Sequence, residues 1–165
     1  MEYHCASLRL ALHPENRTLQ PVQQRFLGCT MRYLLDTNII IAAMKGAAPV
    51  VARMETLPAS ALILSSIVLA ELEHGAEKSL RKVSNQAHLR RIAARLAPVS
   101  FDAAASRWYG IIRTDLEKRG QLIGPNDLLI AAQALSSAAV LVTDNTGEFS
   151  RVAGLSVENW LRVSP

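Results

Sequence analysis

An α/β fold with a parallel sheet covered by helices on both sides is predicted by three features of this sequence. Short apolar runs alternate with stretches of helical periodicity. The runs are unbroken rather than alternating, as in strands buried on both faces. Ala, Leu, Val and Ile dominate, and aromatic residues make up only 5%, which suits helices packed on a sheet better than an all-β sandwich. With 165 residues, half of them hydrophobic, the chain can bury one core of ordinary size.

Residues 1–30 come first and differ from the rest. Pro14, Asn16, Thr18, Gln20, Pro21, Gln23 and Gln24 make a polar stretch without sustained periodicity, read as a disordered or non-native extension, with Met31 as the expected natural start. The folded domain is expected over residues 31–165. Tyr33–Leu35 reads as the first strand, followed by a short helix ending near Gly46 and another over Pro49–Leu57. Leu62–Leu64 is the second strand, after which Ser65 or Ser66 caps the helix carrying Glu71. Gly75 is expected to bend or interrupt that helix, and a longer one over Asn85–Leu96 is stopped by Pro98.

Val99–Phe101 is a short strand, and Asp102 caps a helix ending near Gly120. On that helix Trp108, Ile111, Ile112 and Leu116 recur at helical spacing and read as core. Pro125 opens another helix at the position its fixed φ favours, running to about Ala138. Ala139–Val142 is an apolar central strand, and Leu155–Val157 an edge strand.

Composition excludes several classes. No apolar run reaches the ~18 residues of a membrane-spanning helix, since the stretch from Ala59 to Leu72 is short and ends in acids. Glu2, Arg9, His13 and Pro14 break anything like a secretory leader. Cys5 and Cys29 are the only cysteines and both precede Met31, so neither disulfides nor thiolate-bound zinc are expected in the core. A soluble cytoplasmic protein is the expectation.

The net charge of +4 is unevenly spread. Between Lys78 and Arg119 ten bases face three acids (Asp102, Asp115 and Glu117), and elsewhere after Met31 acids predominate. Arg90, Arg91, Arg95, Arg107 and Arg113 in that basic stretch are candidate contacts to a polyanion such as RNA, although a solvated helical surface would look the same.

Asp36 follows the first strand and Asp144 follows the central one, so both lie at carboxyl ends of strands, where open parallel sheets place their ligand crevices. Asp127 sits in the first turn of the Pro125 helix, and Glu71 near the start of the helix after the second strand. Singly, each acid fits a cap, a turn or a solvent-facing position. Together at one sheet edge they would repel one another by about 4 kcal/mol per pair at ~4 Å with an effective dielectric near 20, and would need a cation. An all-oxygen donor set without His or Cys suits Mg²⁺ or Mn²⁺, which coordinate phosphate oxygens as well as carboxylates. Phosphodiester hydrolysis follows, with His74 nearby as a candidate proton carrier.

Four segments carry a family resemblance: Met31-Arg-Tyr-Leu-Leu-Asp36-Thr-Asn-Ile, Ser66-Ile-Val-Leu-Ala-Glu71-Leu-Glu-His-Gly75, Ile123-Gly-Pro-Asn-Asp127-Leu-Leu-Ile-Ala-Ala132 and Leu141-Val-Thr-Asp144-Asn-Thr-Gly-Glu148-Phe. In this order and spacing they resemble the signature blocks of PIN-domain ribonucleases, most closely the VapC toxins of bacterial toxin–antitoxin pairs. The resemblance implies a three-layer α/β/α PIN-like fold and Mg²⁺-dependent (or Mn²⁺-dependent) endonucleolytic cleavage of RNA, of transfer RNA or otherwise ribosomal RNA, inhibiting translation. It implies a VapB-type antitoxin that blocks the acidic pocket, and a toxin homodimer. Asp36, Glu71 and Asp127 match the family acids. Asp144 fits the fourth position, where many toxins carry Asn, and Glu148 shares or replaces it. Thr37, Asn38 and Thr143 match positions that support the acids by hydrogen bonding.

Two rival readings remain at this level. In one, a haloacid-dehalogenase-like phosphohydrolase would use Asp36 as a nucleophile, but Asn38 stands where that pattern places a second Asp. In the other, a non-catalytic module would keep the fold only to bind a partner. The boundary at Met31 is directly testable. A chain starting there is expected to match the full chain in thermal melting and nuclease activity, and a large loss of either would place residues 1–30 within the fold.

Overall fold

The computed structural model of the protein describes residues 31–162. The extension expected over residues 1–30 lies outside the described residues. A four-stranded, wholly parallel sheet organises the rest: β1 (Tyr33–Leu35), β2 (Leu62–Ile63), β3 (Val140–Val142) and β4 (Val157–Glu158), in the order β2-β1-β3-β4. All three side chains of β1 are buried although they alternate between faces, so both faces are covered. This is the expected α/β/α arrangement.

Seven α-helices among the described residues make the covering layers: α1 (Thr37–Met44), α2 (Ala48–Glu55), α3 (Ser66–Glu77), α4 (Lys82–Arg95), α5 (Ala103–Lys118), α6 (Pro125–Ser136) and α7 (Thr146–Phe149). Their starts are written in local chemistry. Ser65 Oγ accepts the Ile67 N–H at 3.0 Å to cap α3, Asp102 Oδ1 accepts the Ala105 N–H at 2.8 Å to cap α5, and Pro125 opens α6. Gly46, with φ +76°, and Gly120, with φ +62°, end α1 and α5 in the left-handed conformation.

Helix α6 is the most deeply set. Residues 128 and 130–134 are all buried, and its alanines let neighbouring backbones approach closely. One of those residues is polar. Gln133 is 1% exposed; its Oε1 accepts the Ser65 hydroxyl at 2.6 Å, and its Nε2 donates to the carbonyls of Val99 (2.9 Å) and Ser100 (3.1 Å). This side chain joins the start of α3, the segment entering α5, and α6.

Several expectations are corrected. Val99–Phe101 does not form a strand: Val99 alone makes a parallel bridge, to Ser65, and beyond it the Ser100 carbonyl is taken up by Gln133 rather than by a neighbouring strand. Gly75 does not interrupt α3, since its backbone stays helical and the helix runs on to Glu77. Trp108 (37% exposed) and Ile111 (60%) are surface residues; only Ile112 and Leu116 of that set face the core, because α5 packs along the narrower stripe through Ala105, Ile112 and Leu116. The last strand is displaced to Val157–Glu158. Helix α7 was not anticipated, being too short to show periodicity.

Removing the buried carboxamide should be costly. Gln133→Ala leaves the Ser100 carbonyl and the Ser65 hydroxyl proton without their partner, takes one of two donors from the Val99 carbonyl, and is expected to lower unfolding free energy by about 1–3 kcal/mol, measured by urea denaturation.

Candidate active site

The strand order places a topological switch between β1 and β3: the chain leaves β1 towards β2 on one side and leaves β3 towards β4 on the other. Open parallel sheets form their ligand crevice at such a point, beyond the carboxyl ends of the strands. Leu35 pairs with Val142, so the next residues, Asp36 and Thr143, emerge side by side, and the Asp36 N–H donates to the Val142 carbonyl at 2.9 Å.

Asp36 is only 5% exposed. Its Oδ1 accepts the Thr37 N–H at 2.7 Å, capping α1, and its Oδ2 accepts from Asn38 Nδ2 at 2.7 Å and from the Thr143 hydroxyl at 2.6 Å. Burial pushes its carboxyl above the usual range despite these donors. Asn38 also uses its Oδ1 to accept the Asp144 N–H at 3.0 Å, clamping β1 to the end of β3. Its place beside Asp36 is that of an amide donor, which disfavours the dehalogenase-like reading.

Glu71 reaches the same edge from α3, accepting the Thr37 hydroxyl on Oε2 and Asn126 Nδ2 on Oε1 at 2.7 Å. Asp127, in the first turn of α6, accepts Asn145 Nδ2 at 3.1 Å. Burial first, then the negative charges of Asp36, Glu148 and Glu71, push its carboxyl up to about 7. Glu148, from α7, lies within hydrogen-bonding reach of Asp127 and accepts the Gly124 N–H on Oε2 at 3.1 Å, which holds its own carboxyl below the usual range.

Asp144 is placed differently. Its carboxylate accepts Asn159 Nδ2 at 2.8 Å and pairs with Arg162 at 2.9 Å, partners that hold it below the usual carboxylate range. The structure thus brings Asp36, Glu71, Asp127 and Glu148 together and directs Asp144 towards the C-terminal segment. His74 is exposed and hydrogen-bonds to none of these acids among the described residues.

The PIN-domain pattern matches residues 33–155. Over 132 residues the chain is 45% identical to ribonuclease VapC2 of Rickettsia felis, covering 79% of this chain and 98% of that relative. The chain belongs to the VapC ribonucleases of the PIN-domain family. A second VapC relative, the tRNA(fMet)-specific endonuclease of Shigella flexneri, is 38% identical over 79% of this chain and 98% of its own. The solved VapBC2 of Rickettsia felis bound to a promoter DNA fragment superposes with a TM-score of 0.74 at 44% identity, covering 79% of this chain and 99% of that one.

Within this VapC site, sequence reasoning missed the carboxamides that hold the acids, Asn126 on Glu71 and Asn145 on Asp127. Each directly adjoins a candidate acid in sequence, which was the available signal. None of the five candidate arginines pairs with these acids among the described residues. Arg91 and Arg95 line a separate apolar groove, and Arg113 is paired with Glu117 at 2.8 Å.

None of the four clustered carboxylates has an ion-pair partner among the described residues, and no three of them close on a common point as a finished coordination shell. Their donor chemistry nonetheless fits a hard divalent cation: oxygen only, anionic, and placed so that burial and then mutual repulsion raise Asp127. This repulsion has a stability consequence. The folded value of Asp127 lies above its ordinary 3.8, so its contribution is complete at lower pH and lost as pH rises through about 7. In EDTA, Asp127→Asn should be more stable than the parent near pH 8, by on the order of 1 kcal/mol because solvent screens a half-exposed carboxyl, and equal to it below about pH 4, measured by chemical denaturation across pH.

Proposed function

We propose that the protein is the toxin of a toxin–antitoxin pair, an endoribonuclease that uses Mg²⁺ or Mn²⁺ to cut RNA in the cytoplasm, transfer RNA before ribosomal RNA, and so stops translation. The observation that carries this reading is the gathering of Asp36, Glu71, Asp127 and Glu148 at the switch point, with no cationic side chain paired to any of them among the described residues. Membership in the VapC family and the tRNA specificity named for one relative support the substrate class.

Asp36, Asp127, Glu71 and Glu148 would hold the cation, with Asp144 in a supporting place held by Arg162. Bound there, it would neutralise the scissile phosphate and lower the pKa of the attacking water. The chain's own part is orientation. Thr37, Asn38 and Thr143 fix both oxygens of Asp36, and Asn126 and Asn145 aim Glu71 and Asp127. A cation held among these acids would favour the ionised form of Asp127, whose carboxyl burial and the neighbouring acids raise.

The partner is a VapB-type antitoxin, within a complex that also contains a second copy of the toxin. An apolar groove of about 360 Å³ between α1, α2 and α4, lined by Ile40, Met44, Met54, Leu57 and Leu96, fits the apolar face of an antitoxin helix. An antitoxin arginine that forks onto the carboxylates would compete with the cation. Arg90, Arg91, Arg95, Arg107 and Arg113 are retained as candidates for an outer RNA face.

Asp36→Asn should abolish RNA cleavage and growth arrest while preserving the circular dichroism spectrum, because shape is kept and only charge is lost. Thr143→Val, which removes a donor to Asp36, should cost about 10–100-fold in activity or cation affinity. Cleavage of total RNA with Mg²⁺, Mn²⁺ or EDTA is the test. Activity that survives EDTA, or a folded and fully active Asp36→Asn protein, overturns the mechanism.

A further inference from the structure

A second groove, of about 520 Å³, opens between α1, α3 and α4, and one of its lining residues is Glu71. Helices α1 and α3 lead outward from the acids: Thr37, Ile41 and Lys45 succeed one another at four-residue spacing on α1 and its cap, and Glu71, Gly75 and Ser79 do so along α3 and its end. Lys45 therefore lies about 12 Å along α1 from Thr37. Arg81, before α4, is on the same groove.

Three observations describe its occupant. Lys45 and Arg81 are exposed and form no ion pair or side-chain hydrogen bond among the described residues, and Glu71, at the catalytic end, is the groove's one acid. The floor and walls between them are mostly apolar or small, with Ile41 38% exposed, and the polar side chains Asn85 and His88 lie on the α4 side. Gly75 lies in the interior of α3, where glycine costs a helix about 1 kcal/mol relative to alanine. Its φ is not positive, and a Cβ built there meets nothing within 4 Å. Nothing within the described chain requires glycine at this position, and its missing side chain leaves the groove open to a close approach from outside.

We infer that this groove carries the single-stranded RNA next to the scissile phosphate, with Lys45 and Arg81 on backbone phosphates and a sugar or base lying against Gly75. The inference rests on the endoribonuclease reading and extends it to a binding path distinct from the five arginines of α4 and α5. Cations beside an apolar floor suit phosphates and unstacked bases together.

The test uses the full chain carrying Asp36→Asn to prevent cleavage, a fluorescein-labelled hairpin RNA with an unpaired loop, and anisotropy titrations over a range of salt. Lys45→Ala and Arg81→Ala should each weaken binding several-fold and flatten the log–log salt slope by about 0.7. Lys118→Ala, on α5 outside the groove, should leave the slope unchanged. Gly75→Leu should weaken RNA binding with its melting temperature held or raised, which separates blockage from misfolding. If the Asp36→Asn protein binds the hairpin and all three groove variants match it, the groove holds something other than nucleic acid, such as a protein segment, and the inference fails alone. If that protein binds no RNA and the parent chain cleaves none, the endoribonuclease reading fails and takes the inference with it.

Discussion

A carboxylate almost wholly withdrawn from water is the constraint on which this structure turns. An unpaired buried anion would be costly by several kcal/mol, so Asp36 can stay ionised only while its donors are in place. Those donors come from two distant parts of the chain, the Thr37 and Asn38 turn after β1 and Thr143 after β3. Parallel pairing of Leu35 with Val142 brings them side by side. A slip of one residue would turn Thr143 to the other face and leave the carboxylate short of a partner, so sheet register and catalytic geometry are one condition.

Around that fixed point the fold gathers charge that it does not balance. Asp144 shows the contrast: Asn159 and Arg162 are its partners, and the guanidinium matches its charge. Glu71, Asp127 and Glu148 are held instead by neutral donors, which orient a carboxylate without cancelling its charge. Orientation by amides and hydroxyls leaves the negative field available to a ligand, whereas an arginine would have spent it.

Much of this was legible in the sequence. Strand ends are local signals, and an acid directly after an apolar run could be placed at the sheet edge before any tertiary contact was known, as with Asp36. Caps such as Ser65, Asp102 and Pro125 were equally local. The different surroundings of Asp144 and Glu148 were not, because they depend on the C-terminal segment folding back onto Asp144. Trp108 and Ile111 misled for a related reason: apolar spacing marks a helix face, but packing uses only part of it. Gln133 was invisible, since a lone carboxamide in an alanine-rich helix gives no sign of the carbonyls it will meet.

The distance in sequence between the halves of the Asp36 clamp governs when activity can arise. Thr143 lies 107 residues after Asp36, and at ~5–20 residues per second a ribosome needs roughly 5–20 s to travel between them. Until β3 has emerged, β1 lacks its central partner, Asp36 lacks a donor, and Glu148 has not been made. A chain that stops before Thr143 therefore lacks part of the Asp36 clamp and all of Glu148, and the acid cluster is complete only once β3 and α7 have been made.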